Sequence, residues 1–114
     1  MKIVIAGGRD FDNYNLLREK CDEIIDSNLT EIISGCAKGA DTLGERYAKE
    51  RGFDTKLFPA DWKTHGRKAG HIRNKQMADY GEMLIAFWDG KSSGTKNMIE
   101  NSKKLGLIVH IINY

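Results

Sequence analysis

At 114 residues, with 40% hydrophobic and 30% charged positions and one proline, the chain is long enough to bury a core without disulfides or metal, and its composition excludes a disordered segment. A net charge of +2 singles out no partner, and two cysteines make no disulfide framework, so a reducing cytoplasm is the expected compartment. No apolar run approaches a membrane span, and Ile3-Val4-Ile5-Ala6 is too short for a secretory core, so no membrane partner is expected.

Lys2 to Ala6 reads as a buried strand closed by Gly7 and Gly8. Tyr14, Leu17, Cys21, Ile24 and Ile25 recur at helical spacing, with Asp12 or Asn13 placed to cap the start. Glu31 to Ser34 is the second strand. Ala40, Leu43, Tyr47 and Ala48 mark a second helix that Gly52 can end in a left-handed cap. Thr55 to Phe58 is a third strand stopped by Pro59, and a polar loop from Ala60 to Arg67 carries Trp62. Lys68 to Tyr80 reads as a helix with Ile72, Met77 and Tyr80 inward. Met83 to Trp88 is the most apolar strand and is expected to be central. Thr95, Met98, Ile99, Ser102 and Leu105 predict a fourth helix ended by Gly106, and Leu107 to Ile112 the last strand.

Strictly alternating strands and helices predict an α/β fold, with a five-stranded, mostly parallel sheet and about four helices on its two faces. No repeat, linker or low-complexity tract divides the chain, so residues 1–114 are expected to form one domain. Three of the predicted strands end in glycine-bearing loops: Gly7-Gly8-Arg9-Asp10, Ser34-Gly35-Cys36-Ala37-Lys38-Gly39, and Asp89-Gly90-Lys91-Ser92-Ser93-Gly94-Thr95. Ligands in such sheets bind past the carboxyl ends of the strands. A helix that starts there offers unpaired N–H groups and partial positive charge, which suits a phosphate. From Lys63 to Lys75 the chain also holds Arg67, Lys68 and Arg73, with His65 and His71, and no Asp or Glu. Such a run is either a solvated face or an anion site, and Gly66, Ala69 and Gly70 within it allow close approach of a ligand.

The loops are neither a G-x-G-x-x-G dinucleotide fingerprint nor a G-x-x-x-x-G-K-[ST] phosphate loop. His65, His71 and His110 have no metal-ligand spacing, and no metal or cofactor is expected. Cys21 falls on an apolar helix face and reads as core. Cys36, close to a helix start, sits where a thiolate is favoured.

Ser34-Gly35-Cys36-Ala37-Lys38-Gly39-Ala40-Asp41 resembles the S-G-x-A-x-G-[IA]-D motif of the SLOG (Smf/DprA–LOG) superfamily. Gly7-Gly8-Arg9-Asp10-Phe11, Ala69-Gly70-His71-Ile72-Arg73-Asn74 with Met77, and Asp89 to Thr95 complete the pattern of its YspA-like, cpYpsA-related branch. The resemblance runs from Lys2 to about Ile112. It implies a Rossmann-like three-layer sandwich that senses or processes a nucleotide or nucleotide-derived ligand. Some LOG-type relatives cleave nucleoside monophosphates at the N-glycosidic bond, using an arginine segment that His71-Ile72-Arg73 matches and a glutamate whose place here is taken by Met98. That departure leaves catalytic residues unassigned, with nucleotide hydrolysis as the alternative to binding. Smf/DprA relatives use the fold on DNA, so single-stranded nucleic acid is a third reading, and relatives commonly pair through helices, which makes a homodimer the expectation.

The candidate ligand-binding residues are Gly7, Gly8, Arg9, Ser34, Gly35, Lys38, Gly39, Asp41, Arg73, Asp89, Ser92, Ser93, Gly94 and Thr95. Arg73 can grip a phosphate with two parallel hydrogen bonds, or form a surface ion pair. Arg9 can turn over the ligand, or pair with Asp10. Asp41 can accept a hydrogen bond from a ligand sugar, or cap its own helix. Asp89 can meet a ribose hydroxyl. Ser34 and Thr95 can donate hydroxyls to phosphate, or form turns. Trp62 and Trp88 can each stack on a base, Trp88 being the better candidate for core. Arg73→Ala is expected to weaken ligand binding and leave the melting temperature nearly unchanged.

Overall fold

The computed structural model describes residues 1–26 and 29–114. β1 (Lys2–Gly7) leads into α1 (Tyr14–Ile24), and β2 (Glu31–Ser34) into α2 (Ala40–Arg51). β3 (Asp54–Leu57) is followed by a single helical turn, α3 (Trp62–His65), and a 3-10 turn over Gly66–Lys68 that runs into α4 (Ala69–Tyr80). β4 (Met83–Trp88), α5 (Ser93–Lys104) and β5 (Ile108–Asn113) complete the order. The strands lie side by side as β3-β2-β1-β4-β5 and every described pairing is parallel. The chain thus has the expected α/β, Rossmann-like three-layer architecture.

The period of two along each strand splits the core between the faces. Ile3, Ile5, Ile32, Ile85 and Phe87 pack with Leu17 and Cys21 of α1 and Tyr47 and Ala48 of α2. Val4, Ala6, Ile33, Leu84 and Ala86 pack on the opposite face with Met77 and Ala78 of α4 and Met98 and Ile99 of α5. Full burial of an Ile or Leu contributes roughly 1.5–3 kcal/mol, so the strands covered on both faces carry most of the stabilisation. β1 takes the middle of the sheet, paired with both β2 and β4; β4 is interior but one place removed from the centre.

The ends follow local chemistry. Asn13 rather than Asp12 caps α1, its Oδ1 accepting from Leu16 N at 3.1 Å. Gly52 closes α2 at φ 72°, as a left-handed cap. α3 lies inside the stretch expected to be a loop: Asp61 caps it, with Oδ1 accepting from Thr64 N at 3.1 Å, and four residues are too few to show a helical period. Leu105, expected inward, is 45% exposed at the C-cap of α5, and Ile72 is only half-buried. β3 and β5 are the sheet edges, and each is shifted by one residue from its expected span. No described helix is long and apolar enough to cross a membrane.

The connections leave β1 toward β2 and β3 on one side, while β4 and β5 lie on the other. Strand order therefore reverses between β1 and β4, and a crevice opens where their carboxyl ends part.

Candidate functional site

That crevice is a cavity of about 500 Å3. It is lined by the loop after β1, by Ala37 and Asp41 around the start of α2, by α4 from Gly70 to Met77, and by the loop after β4 with α5 as far as Met98; Trp62 and Arg67 line it as well.

The loop after β1 contributes Gly7, Gly8, Arg9 and Asp10. Asp10 does not pair with Arg9. Its Oδ1 accepts from the Tyr114 hydroxyl at 2.6 Å. The Tyr114 ring meets Phe11 edge-on, with centroids 4.8 Å apart, and Phe11 stacks on Phe87 at 4.9 Å. Burial and the Asp10 carboxylate push the Tyr114 phenol well above its ordinary pKa. Arg9 is exposed at the cavity, and among the described residues its guanidinium has no hydrogen bond or ion pair.

The loop after β2 turns its amides inward. The Ser34 hydroxyl is buried, donating to Glu45 Oε2 at 2.6 Å and accepting from Cys36 N at 3.1 Å. Ala37 N donates to Asp41 Oδ2 at 3.2 Å, and Ala40 N donates to Gly8 O at 3.2 Å. Amides of the loop before α2 are thus taken up by protein groups, with the Asp41 carboxylate as an internal anion, while α2 itself has no side-chain cap. Asp41 is 5% exposed and lines the cavity. Burial pushes its pKa up to about 6, against the pull of the Ala37 and Gly35 amides and of Arg73, and with Glu45 adding to the rise. Gly39 sits at φ 78°, and a Cβ there would come within 2.2 Å of Gly8 O, so only glycine lets this loop cross the first. Lys38 is exposed; neither it, Ser34, Gly35 nor Gly39 is part of the cavity wall.

α4 supplies the principal cation. Arg73 is half-buried; its Nη1 donates to the Gly35 carbonyl and its Nε to Asn74 Oδ1 at 3.1 Å. Gly35 lies between Arg73 and Asp41, since a Cβ on it would meet Arg73 Nη1 at 2.7 Å and Asp41 Oδ2 at 2.8 Å. Nη2 has no hydrogen-bond partner among the described residues. Desolvation lowers the Arg73 pKa, partly offset by Asp41. Asn74, which residue-type reasoning passed over, ties the site together: its Nδ2 donates to Gly94 O at 3.2 Å and to Asn97 Oδ1 at 3.1 Å. Gly70, Arg73, Asn74 and Met77 all line the cavity, and their i, i+3, i+4, i+7 spacing was the available signal for a site-facing helix side.

The loop after β4 is held by Asp89, whose Oδ1 accepts from Lys91 N and Ser92 N, both at 2.8 Å. Those amides hold its carboxyl below the usual range. Ser92 caps α5, its Oγ near Thr95 N at 3.4 Å and Thr95 Oγ1 at 3.1 Å, and Lys96 N donates to Ser92 O. The amides of Ser93 and Gly94 have no protein acceptor among the described residues and lie at the cavity wall. Trp88 belongs to the second core face, and its indole N–H donates to Ser92 O at 3.1 Å.

The structure brings Gly7, Gly8, Arg9, Asp41, Arg73, Asp89, Ser92, Ser93, Gly94 and Thr95 around one hollow. Met98, where the LOG pattern has glutamate, is 1% exposed and forms part of the floor; Glu100 is exposed and does not reach the cavity. Cys36 departs from expectation: burial and the Glu45 and Asp41 carboxylates raise its thiol pKa, which disfavours a thiolate. Among the described residues no group of three or more His, Cys, Asp or Glu is placed to hold a metal.

The model of the YspA, cpYpsA-related SLOG family matches residues 1–65, which span β1 through α3. The chain is 36% identical over 89 residues to the Gene 61 protein of Mycobacterium phage D29, covering 73% of this chain and 70% of that protein. No solved structure matches it. A family match over more than half of the chain, carrying both the first glycine loop and the Gly35–Asp41 turn, makes this protein a member of the YspA, cpYpsA-related SLOG family.

Proposed function

We propose that the cavity binds a nucleotide or nucleotide-derived ligand, with its phosphate on the Ser93 and Gly94 amides and Arg73 Nη2, and with Arg9 closing from the opposite rim. The observation that carries this reading is the convergence, at the reversal of strand order, of unsatisfied amides at a helix start with two arginines that have spare donors. The phosphate belongs at α5 rather than on the loop before α2, because Asp41 already takes amides of that loop and neither Gly35 nor Gly39 lines the cavity. The volume suits a small ligand of this size class.

A thermal-shift series with nucleoside mono- and diphosphates tests it. At a hundredfold excess over its dissociation constant a bound ligand stabilises by about 2.7 kcal/mol, a rise of several degrees for a domain of this size. No rise with any of them overturns the proposal.

A second reading, hydrolysis of the N-glycosidic bond, draws on one observation. Asp41 is a cavity carboxyl that can hold a proton at mildly acidic pH, beside the arginine that would position the phosphate. The buried thioether of Met98 at the floor weighs against it. Chromatography for free base after incubation with nucleoside monophosphates at pH 6 decides the matter, and absence of release removes hydrolysis for those substrates.

A further inference from the structure

The chain has two tryptophans, and their surroundings differ in kind. Trp88 packs on the sheet and its N–H is taken by Ser92 O. Trp62 is 52% exposed and contributes to neither core face, and its indole has no hydrogen-bond, aromatic or cation partner among the described residues. It stands on α3, a turn that buries no residue of its own. That turn is nonetheless pinned: Asp61 caps Thr64 N, and His65 N donates to Asp61 O at 3.0 Å. A well-capped turn that holds a large, wet indole over a cavity has no explanation in packing.

Gly70 marks where the ring's edge reaches α4. A Cβ there would be 3.6 Å from Trp62 Cη2 and 3.9 Å from Arg73 Nη2, so the indole edge and the free guanidinium nitrogen both approach one point on the first turn of α4. They are close enough for a single mononucleotide to touch both. Arg67 and His71 also line the hollow, and the indole is the largest aromatic surface among the lining residues.

The geometry points to Trp62 as the base platform of the site: an aromatic face against which the heterocycle of the ligand stacks while Arg73 takes the phosphate. This rests on the nucleotide reading above, and it narrows the ligand to one bearing a planar base rather than a sugar phosphate alone. Stacking tolerates any base, so the platform selects for the presence of a heterocycle and not for its identity.

The test is calorimetric titration of the wild type, W62A and W62F with the adenosine, guanosine, cytidine and uridine 5′-monophosphates and with ribose 5-phosphate, followed by fluorescence. Loss of a stacked base weakens binding by at least about fivefold, so W62A is expected to lose that much for any nucleotide the wild type binds. W62F stays within about threefold of wild type, because phenyl still presents a π face. Ribose 5-phosphate binds wild type and W62A alike, however weakly. Nucleotide quenches the wild-type emission, and the quench disappears in W62F, where Trp88 alone emits. Because Trp62 is exposed, neither variant removes core packing. A nucleotide loss under twofold in W62A, or an equal loss for ribose 5-phosphate, overturns the platform and leaves the nucleotide reading standing. If no nucleoside monophosphate binds the wild type, both fall.

Discussion

Arg73 shows how one side chain serves two ends. Its Nη1 satisfies the buried Gly35 carbonyl, while Nη2, without a hydrogen-bond partner among the described residues, is the nitrogen proposed for a ligand. From residue type alone its removal looks harmless to stability; the hydrogen bond to Gly35 says otherwise. Arg73→Ala is expected to cost about 1–3 kcal/mol in urea denaturation, because a buried acceptor loses its partner, and to weaken nucleotide binding at least tenfold, on the order of one charged hydrogen bond. Full native stability in that variant would contradict the structural half of this account. Asp41 makes a prediction of opposite sign to the usual carboxylate. Its folded pKa of about 6 lies above the unfolded value of 3.8, so between those values the folded state holds more protons. Its contribution to stability is then fully present below about pH 4 and is lost as pH rises through about 6, amounting to about 3 kcal/mol. Asp22, Glu50, Asp61 and Asp89, held low by their partners, work the other way. The readout is therefore the difference between wild type and Asp41→Asn in unfolding free energy from pH 4 to 7. Wild type should lose stability relative to the variant over that window, and a flat difference would show that Asp41 keeps an ordinary pKa.

Among the elements, the two helix starts at the site behave differently because of their glycines. Gly39 adopts a positive φ and has the Gly8 carbonyl where a Cβ would go, so Gly39→Ala is expected to cost at least about 2 kcal/mol and to push the first loop out of place. Gly94, at ordinary φ on α5, has nothing within 4 Å of a built Cβ. There alanine should be neutral or stabilise by up to about 1 kcal/mol, by reducing the freedom of the unfolded chain. Parallel denaturant melts of the two variants check the contrast. That contrast was not legible in the sequence, where both glycines occupy look-alike strand-to-helix turns. What separates them is the chain packed over each, the Gly8–Arg9 segment in one case and open cavity in the other. The short α3 escaped for a simpler reason: one turn has no period, and its only local signal is Asp61 three residues before Thr64.

At the scale of the molecule, the parallel sheet was readable because β1 and β4 are buried on both faces and so appear as unbroken apolar runs, with helical periods between them. The alternation, with the rule that ligands sit past strand ends, put ten of the proposed residues on one hollow. Contacts between elements far apart in sequence stayed hidden: Tyr114 on Asp10 and Arg73 on Gly35. Arg9, Arg67 and Arg73 surround the cavity against Asp10, Asp41 and Asp89, in a chain whose overall charge is only +2. Any attraction for a phosphate is then local, with the exposed cations of residues 63–75 supplying the longer reach. Raising the salt from 50 to 500 mM shrinks that reach to a few ångströms and should weaken nucleotide affinity several-fold, as titrations at the two concentrations would register. An affinity independent of salt would place the binding energy in stacking and packing instead.

The carboxylate seated on the amides ahead of α2 has a practical corollary for anyone fishing for the natural ligand. With Asp41 on the Ala37 amide, the proposed site would take a guest's acidic group at the Ser93 and Gly94 amides, toward α5. Beads that tether bait through its terminal phosphate would bury the very handle the proposed site grips, whereas bait hung from its far end leaves that handle bare.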